Sequence, residues 1–261
     1  MILKIENLKK YYGENKAVDD ISFEVQSGEI FALLGPNGAG KTTTLKCILE
    51  LRKPDFGNII LNGTYSYLPE KKELYHYLTV SKMLDVTEEF SKKFSKENAI
   101  KLLKDFKIPL NEKIANLSHG MLTQVYVSIV FSEDVDIYFL DEPTWGLDPL
   151  IRNQVLELIR SMSNNGKTIV YTSHILSEVE KIAEKVAIMA NGKILENDFL
   201  DSIKEKYVAC ITNKDEEIEG YLYKTTDAEK VFITTKDKAK GKIEPATFDM
   251  IFEAIVKGVK K

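Results

Sequence analysis

Hydrophobic and polar positions alternate with a period of two in short stretches near the start of the chain. The runs 2–6 and 21–25 place apolar side chains at every second position, which indicates half-buried β-strands. A fully apolar run at 30–34 has the length of a buried strand. Residues 1–34 are therefore predicted to be mainly strands, and another short strand is predicted at 59–61, before the Asn62-Gly63 turn.

Helical spacing follows in two regions. Leu45, Ile48 and Leu49 recur at i, i+3 and i+4 before Pro54, which must end that helix. From about 78 to 132 the pattern changes to a helical one. One helix of this segment is expected to begin after Ser95 as N-cap and to end before Pro109.

From residue 135 onward, strands and helices alternate. Strands are predicted at 137–140, 168–171 and 186–189, and helices at 149–162 and 176–183. This alternation predicts a mainly parallel sheet between helices, with 78–132 as a helical insert.

The pattern changes again at about residue 200. Short β-like runs at 207–212, 221–224 and 231–234 precede a terminal helix with an apolar stripe. We interpret the stripe as packing on the tail's own strands; the alternative is a partner-binding face. Its members are Phe248, Ile251, Phe252, Ile255 and Val256.

The length and composition of the chain limit its fold class and its partners. The 261 residues suffice for one large domain and an appendage, and a hydrophobic content of 44% indicates a packed core. A net charge of −4 disfavours a chain that coats nucleic acid, so no nucleic-acid partner is expected. No signal peptide is evident, and no apolar run approaches the roughly 20 residues of a membrane span. Cys47 and Cys210 fit buried thiols in a reducing cytoplasm.

The strongest chemical signal is a glycine-rich loop between the apolar strand at 30–34 and the first predicted helix. Its sequence, GPNGAGKT, fits G-x-x-x-x-G-K-[ST], whose main-chain N–H groups cradle phosphate at a helix N-terminus. Lys41 is expected to reach the β- and γ-phosphates, and the Thr42 hydroxyl to ligate Mg²⁺. The predicted nucleotide-binding residues are Gly35, Pro36, Asn37, Gly38, Ala39, Gly40, Lys41, Thr42 and Thr43.

Two carboxylates end the buried strand at 137–140. Parallel sheets place ligands at the carboxyl ends of their strands, so Asp141 is expected beside Mg²⁺, and Glu142 is the candidate base for an attacking water. An acidic strand end that only starts a turn is the alternative. His174, which follows the strand at 168–171, could contact the γ-phosphate or the water, although a lone histidine is more often structural.

With these motifs in this order, residues 2–200 resemble the ATP-binding subunit of an ATP-binding cassette (ABC) transporter. GPNGAGKT is similar to the Walker A loop, and the run IYFLDE at 137–142 to the Walker B strand. Residues 117–121, LSHGM, resemble the family signature, which is usually LSGGQ, and 146–149, GLDP, the D-loop. His174 matches the switch histidine, and Tyr12 the aromatic residue that stacks on adenine.

The resemblance implies further roles. Ser118 and Gly120 would bind the nucleotide held by an opposite subunit, so that two copies, or this chain and a homologue, close head to tail over ATP; Ser118 could instead only cap a helix. Asp148 belongs to the implied nucleotide set. Glu70, where many members have glutamine, would contact nucleotide and Mg²⁺, although its charge would repel phosphate. His119 and Trp145 also depart from the family pattern, and for Trp145 a packing role is the first interpretation.

The resemblance implies an α/β P-loop NTPase fold of ABC ATPase type. An α-helical subdomain at about 75–132 lies within an ATPase domain at 1–200, an N-terminal antiparallel β region is part of it, and a small α+β tail spans 201–261. The implied function is an exporter-like ATPase that uses ATP and Mg²⁺, with a separate transmembrane permease, on the inner face of the cell membrane. The alternative is a nucleotide-gated regulatory subunit with weak or no hydrolysis, paired with a more active homologue.

Overall fold

The computed structural model describes residues 1–226 and 228–258, which form strands and helices in mixed order. The strands are β1 (Leu3–Tyr12), β2 (Asn15–Val25), β3 (Ile30–Leu34), β4 (Phe56–Leu61), β5 (Tyr65–Leu68), β6 (Ile137–Asp141), β7 (Thr168–Ser173), β8 (Lys185–Ala190), β9 (Lys193–Phe199), β10 (Tyr207–Asn213), β11 (Tyr221–Thr225), β12 (Glu229–Thr235) and β13 (Lys242–Pro245). The helices are α1 (Lys41–Ile48), α2 (Val80–Phe90), α3 (Lys96–Asp105), α4 (His119–Val130), α5 (Pro149–Asn164), α6 (Leu176–Ile182), α7 (Leu200–Lys206) and α8 (Phe248–Gly258).

The chain divides into two compact units. The first consists of Met1–Lys4, Glu24–Ile30 and Ile60–Ser173. The second consists of Ile5–Phe23, Phe31–Ile59 and the described residues from His174 onward. Both units draw on separate stretches of the sequence, so each depends on long-range contacts for its stability. The predicted domain boundary at residue 200 stays a prediction.

The first unit contains the three parallel strands β5, β6 and β7 and the helices α2, α3, α4 and α5. β6 pairs with β5 on one side and with β7 on the other, and all five of its side chains are buried. Helices α2, α3 and α4 pack on one another, α4 lies against β5, and α5 lies against β7. Ser95 caps α3, because its hydroxyl accepts a hydrogen bond from Asn98 N at 3.3 Å. The predicted helical segment and the parallel strands are thus confirmed.

The second unit contains β3, β8 and β9. β3 runs parallel to β8, whereas β9 is antiparallel to β8 and was not predicted. Sequence periodicity could not identify β9, because most of its side chains are half-buried and carry no clear alternation. The short sheet β2-β1-β4 has most of its residues in this unit.

The C-terminal tail, also in the second unit, forms an antiparallel sheet of order β11-β12-β10-β13. Helix α8 packs on β11 and β12, and Ile251, Ala254 and Ile255 are fully buried. The apolar stripe therefore packs on the tail's own strands, as predicted. α7 and β13 were not foreseen. Among residues 1–226 and 228–258, no helix combines the length and apolar character needed to cross a bilayer.

Candidate functional site

The glycine-rich loop joins β3 to α1 in the second unit, as predicted. Gly40 occupies the N-cap of α1 with φ +108°, a region that side chains rarely adopt. A Cβ at Gly40 would lie 2.1 Å from Ala17 O and 2.7 Å from Met189 Cε. Gly38 also has a positive φ, +79°, but a Cβ there would meet open space. The loop thus needs glycine at 40 for both conformation and space.

Lys41 is folded back over this loop. Its side chain is only 6% exposed, and Nζ donates hydrogen bonds to Gly35 O at 2.8 Å and to Pro36 O at 3.3 Å. The main chain of the loop therefore holds the ammonium group in place. An ammonium fixed beside a helix N-terminus favours an anion electrostatically.

The other predicted loop residues have different exposures. Asn37 is exposed, and Ala39 is buried, with its carbonyl accepting a hydrogen bond from Gly192 N at 3.0 Å. Thr42 and Thr43 are half-buried in the first turn of α1. Thr44, which was not predicted, closes that turn by donating from Oγ1 to Gly40 O at 3.0 Å.

Tyr12 and His174 complete the predicted set in the second unit. Tyr12 ends β1 with 46% of its surface exposed, and Lys10 Nζ lies 5.5 Å from its ring centroid. An exposed ring of this kind is available for stacking. Tyr11 is half-buried and its hydroxyl donates to Asp19 Oδ1 at 3.0 Å, so it is a packing residue. His174 directly follows β7 in the chain and is half-buried.

In the first unit, the end of β6 holds the two predicted carboxylates. Asp141 is fully buried, and its Oδ1 accepts a hydrogen bond from Thr172 Oγ1 at 2.6 Å. The same hydroxyl accepts from Glu142 N at 3.0 Å. Parallel register explains this, because Asp141 pairs with Thr172 across β6 and β7. Glu142 is 7% exposed and adopts φ +49°, a left-handed conformation that costs about 1–2 kcal/mol for a residue with a Cβ.

Lys72 lies in this acidic cluster, and the sequence did not indicate it. It is 6% exposed, and Nζ donates to Glu70 O at 3.1 Å and to Glu142 O at 3.5 Å. Burial lowers the pKa of Lys72 to about 8, although the charges of Asp141, Glu70 and Glu142 act in the opposite direction. The polar run KKE predicts a solvent-exposed lysine at this position. No hydrophobic periodicity in the sequence indicated that the side chain is buried.

Tyr67 contributes a phenol to the same cluster. Burial and the negative charge of Asp141 raise the pKa of Tyr67 well above its usual value. The phenol is therefore neutral at physiological pH and keeps its proton. Glu70, in contrast, is exposed.

The signature-like segment opens α4. Ser118 Oγ accepts a hydrogen bond from Met121 N at 3.2 Å, so Ser118 is the N-cap and α4 begins at His119. A Cβ added to Gly120 would lie 3.7 Å from Gly146 O, an ordinary van der Waals contact. The packing of the first unit therefore does not require glycine at 120.

Two departures from the family pattern contact each other. The rings of His119 and Trp145 meet edge to face, with centroids 4.9 Å apart and an interplanar angle of 83°. Gly146, at φ +77°, lies so close that a Cβ would be 2.5 Å from His119 Cδ2. The signature-like segment and the D-loop-like segment thus pack together through these side chains. A packing role for Trp145 agrees with this geometry.

Asp148 has a local role. It caps α5, since its Oδ1 accepts from Leu150 N at 3.0 Å and from Ile151 N at 3.1 Å. Pro149 then occupies the first helical position, where its missing N–H costs nothing. The Asp-Pro pair is a sequence signal for a helix start. Capping of α5 is therefore one reason for an aspartate at position 148.

The predicted magnesium ligands have suitable chemistry. Thr42 offers a hydroxyl, and Asp141 and Glu70 offer carboxylates, all hard oxygen donors of the kind that Mg²⁺ prefers. Within residues 1–226 and 228–258, no group of three or more His, Cys, Asp or Glu side chains forms a self-contained metal site.

Comparison with known proteins places these features in a family. The family model described as ABC transporter matches residues 18–145. An ABC transporter ATP-binding protein of Methanocaldococcus jannaschii is 33% identical over 252 residues, which cover 93% of each chain. The chain belongs to the ABC transporter ATP-binding proteins. It is thus a nucleotide-binding P-loop protein of the ATPase cassette type.

A further relative and a solved structure support membership of the same family. The SkfA peptide export ATP-binding protein of Bacillus subtilis is 30% identical and matches 78% of this chain and 92% of its own. A solved structure described as the ATP binding subunit of an ABC transporter is 31% identical, with a TM-score of 0.72 over 78% of this chain and 92% of that one. The predicted fold class, the P-loop NTPase fold of ABC ATPase type, is confirmed.

Proposed function

We propose that this chain hydrolyses ATP and thereby powers transport through separate membrane subunits. The observation that carries the proposal is the buried end of β6, where Glu142 is held in a left-handed conformation next to Asp141. A strained, buried carboxylate at a strand end is typical of functional sites. Membership of the ABC transporter ATP-binding proteins supports the same reading.

In this mechanism the amides of the glycine-rich loop and the Lys41 ammonium bind the triphosphate. Thr42, Asp141 and Glu70 would be the ligands of Mg²⁺, which supplies positive charge that neutralises phosphate. Glu142 orients the attacking water and accepts its proton, a contribution of about 10²–10⁴-fold in rate. His174 hydrogen-bonds the γ-phosphate or the water, and Tyr12 stacks on adenine.

The signature-like segment supports a role toward a second cassette. Ser118 and His119 are exposed at the N-terminus of α4, and the packing of the unit does not require glycine at 120. A helix N-terminus with little steric cover is a good phosphate binder. We propose that Ser118 and Gly120 contact ATP held by the opposite subunit of a head-to-tail dimer, in which Asp148 also takes part.

The stretch that follows Glu70 presents aromatic surface for the membrane partner. Tyr75 is 53% exposed and Tyr77 is 74% exposed, and their ring centroids are 5.9 Å apart. Large exposed aromatic side chains mark protein–protein contacts. We propose that this pair contacts a transmembrane permease, which would place the chain on the inner face of the cell membrane. The peptide-export relative favours export as the direction of transport.

The test is Glu142→Gln, which removes the base and keeps the size of the side chain. The purified variant should bind ATP as the parent does, and its Mg²⁺-dependent turnover should fall by at least about 100-fold. Glu157→Gln, the same change at an exposed position of α5, serves as the control and should leave turnover unchanged. Parent-like turnover in Glu142→Gln would contradict the assignment of the base. Normal ATP affinity without hydrolysis in the parent would favour the regulatory alternative.

A further inference from the structure

We propose that Lys72 is a positioning residue for Glu142, and that it connects the loop bearing Glu70 to the main chain at the catalytic carboxylate. The inference rests on the proposed function, because it concerns the residue that acts as base there. Lys72 itself is assigned no contact with ATP or water.

The contacts of Lys72 are with main-chain atoms on two different segments. Nζ donates to Glu70 O at 3.1 Å and to Glu142 O at 3.5 Å. These carbonyls are 72 residues apart in sequence and both belong to the first unit. One ammonium group therefore ties the loop after β5 to the residue that follows β6.

The peptide of Glu142 is held from both sides. Thr172 Oγ1 accepts the hydrogen bond from Glu142 N at 3.0 Å, and Lys72 approaches the Glu142 carbonyl. Glu142 needs this support, because its φ of +49° lies outside the regions that residues with a Cβ favour. If one support is lost, the peptide can relax and the carboxylate changes its direction.

A lysine is an expensive choice for such a buried position. Its side chain is 6% exposed, and buried ammonium groups are rare unless charged or polar partners hold them. Asp141, Glu70 and Glu142 supply negative charge around it. An apolar side chain of the same length would fill this space equally well. The hydrogen bonds that the ammonium group donates to the two carbonyls therefore explain why a lysine is present.

The loop held by Lys72 continues into Tyr75 and Tyr77, the exposed aromatic pair. A displacement of this loop by a partner would reach the Glu142 peptide through the Lys72 side chain. Lys72 is therefore suited to make hydrolysis depend on the position of the loop. This coupling predicts that its loss changes turnover much more than ATP affinity.

The experiment compares Lys72→Met, which keeps the length and removes the charge, with Lys71→Met at the exposed neighbouring position. Lys72→Met should lower kcat at least tenfold, with the Kd for ATP and the KM within threefold of the parent. Lys72→Arg keeps a cationic donor. Its loss of log kcat relative to the parent should be less than half of the loss in Lys72→Met. Lys71→Met should match the parent in all three quantities.

A double variant tests whether Lys72 acts through Glu142. Adding Lys72→Met to Glu142→Gln should lower the residual rate by less than twofold, because the carboxylate that Lys72 positions has already been removed. A further tenfold loss would overturn the inference, as would a kcat of Lys72→Met within twofold of the parent. If Lys72→Met does not fold, Lys72→Gln takes its place with the same limits. A parent chain that binds ATP without hydrolysing it contradicts the proposed function instead.

Discussion

Replacement of Gly40 by alanine tests how the glycine-rich loop is built. The new Cβ would lie 2.1 Å from Ala17 O and 3.3 Å from Ala17 C, so the loop or the facing main chain must move by about 1 Å to restore a normal contact. Neither contact involves a flexible side-chain end that could rotate away. The φ of +108° adds conformational strain. Gly38→Ala is the matched control, since its φ is also positive and its Cβ meets open space.

Gly40→Ala should lower the folding stability more than Gly38→Ala does. A left-handed conformation costs alanine about 1–2 kcal/mol, and overpacking against main chain adds about 1–3 kcal/mol. Gly40→Ala should therefore destabilise the chain by about 2–5 kcal/mol, and Gly38→Ala by about 1–2 kcal/mol. At about 2 °C or more per kcal/mol for a chain of this size, Gly40→Ala should lower the Tm by at least about 2 °C more than Gly38→Ala does.

Thermal unfolding and titration with a fluorescent ATP analogue measure both consequences. Gly40→Ala should also weaken nucleotide binding by tenfold or more, because displaced amides no longer converge on phosphate. Gly38→Ala should retain more of the affinity. Equal Tm losses in the two variants, or a Gly40→Ala chain as stable as the parent, would refute the reasoning from the Ala17 contact.

Two further predictions concern the signature-like segment. Ser118→Ala should lower stability by about 1 kcal/mol through loss of the cap on Met121 N, whereas Ser118→Asp keeps a capping oxygen and should preserve Tm. Ser118→Asp should nevertheless abolish turnover by placing a carboxylate against phosphate; parent-like turnover with normal Tm would argue against a phosphate contact at Ser118. A double-mutant cycle of His119→Ala and Trp145→Ala, followed by chemical unfolding, should yield a coupling of about 0.5–1.5 kcal/mol from the edge-to-face contact. Additive effects would show that the two rings do not stabilise each other.

Local signals in the sequence predicted much of the fold. The apolar run of β6, the Asp-Pro start of α5 and the Ser95 cap of α3 are all consequences of short-range chemistry. Residues within a few positions of one another set such features, because capping and periodicity act over one or two turns. The same holds for the glycine-rich loop, whose spacing matches the phosphate-binding pattern G-x-x-x-x-G-K-[ST].

Other features could not be predicted from short-range patterns. β9 and β13 carry little alternation, and they become strands only because β8 and β10 offer them an edge. α7, at Leu200–Lys206, was likewise not predicted from the sequence. In each case tertiary pairing supplies the stability that local propensity lacks.

The sequence by itself determined the class of chemistry, since GPNGAGKT, the Asp141-Glu142 pair and LSHGM each carry their meaning within a few residues. Only the tertiary structure decided which side chains surround that chemistry. It buried Lys72 against the Glu142 carbonyl, 70 positions away in the sequence, and brought His119 onto Trp145, 26 positions away. Burial and long-range contact depend on how distant segments pack together, and no local pattern of polar and apolar residues encodes that arrangement.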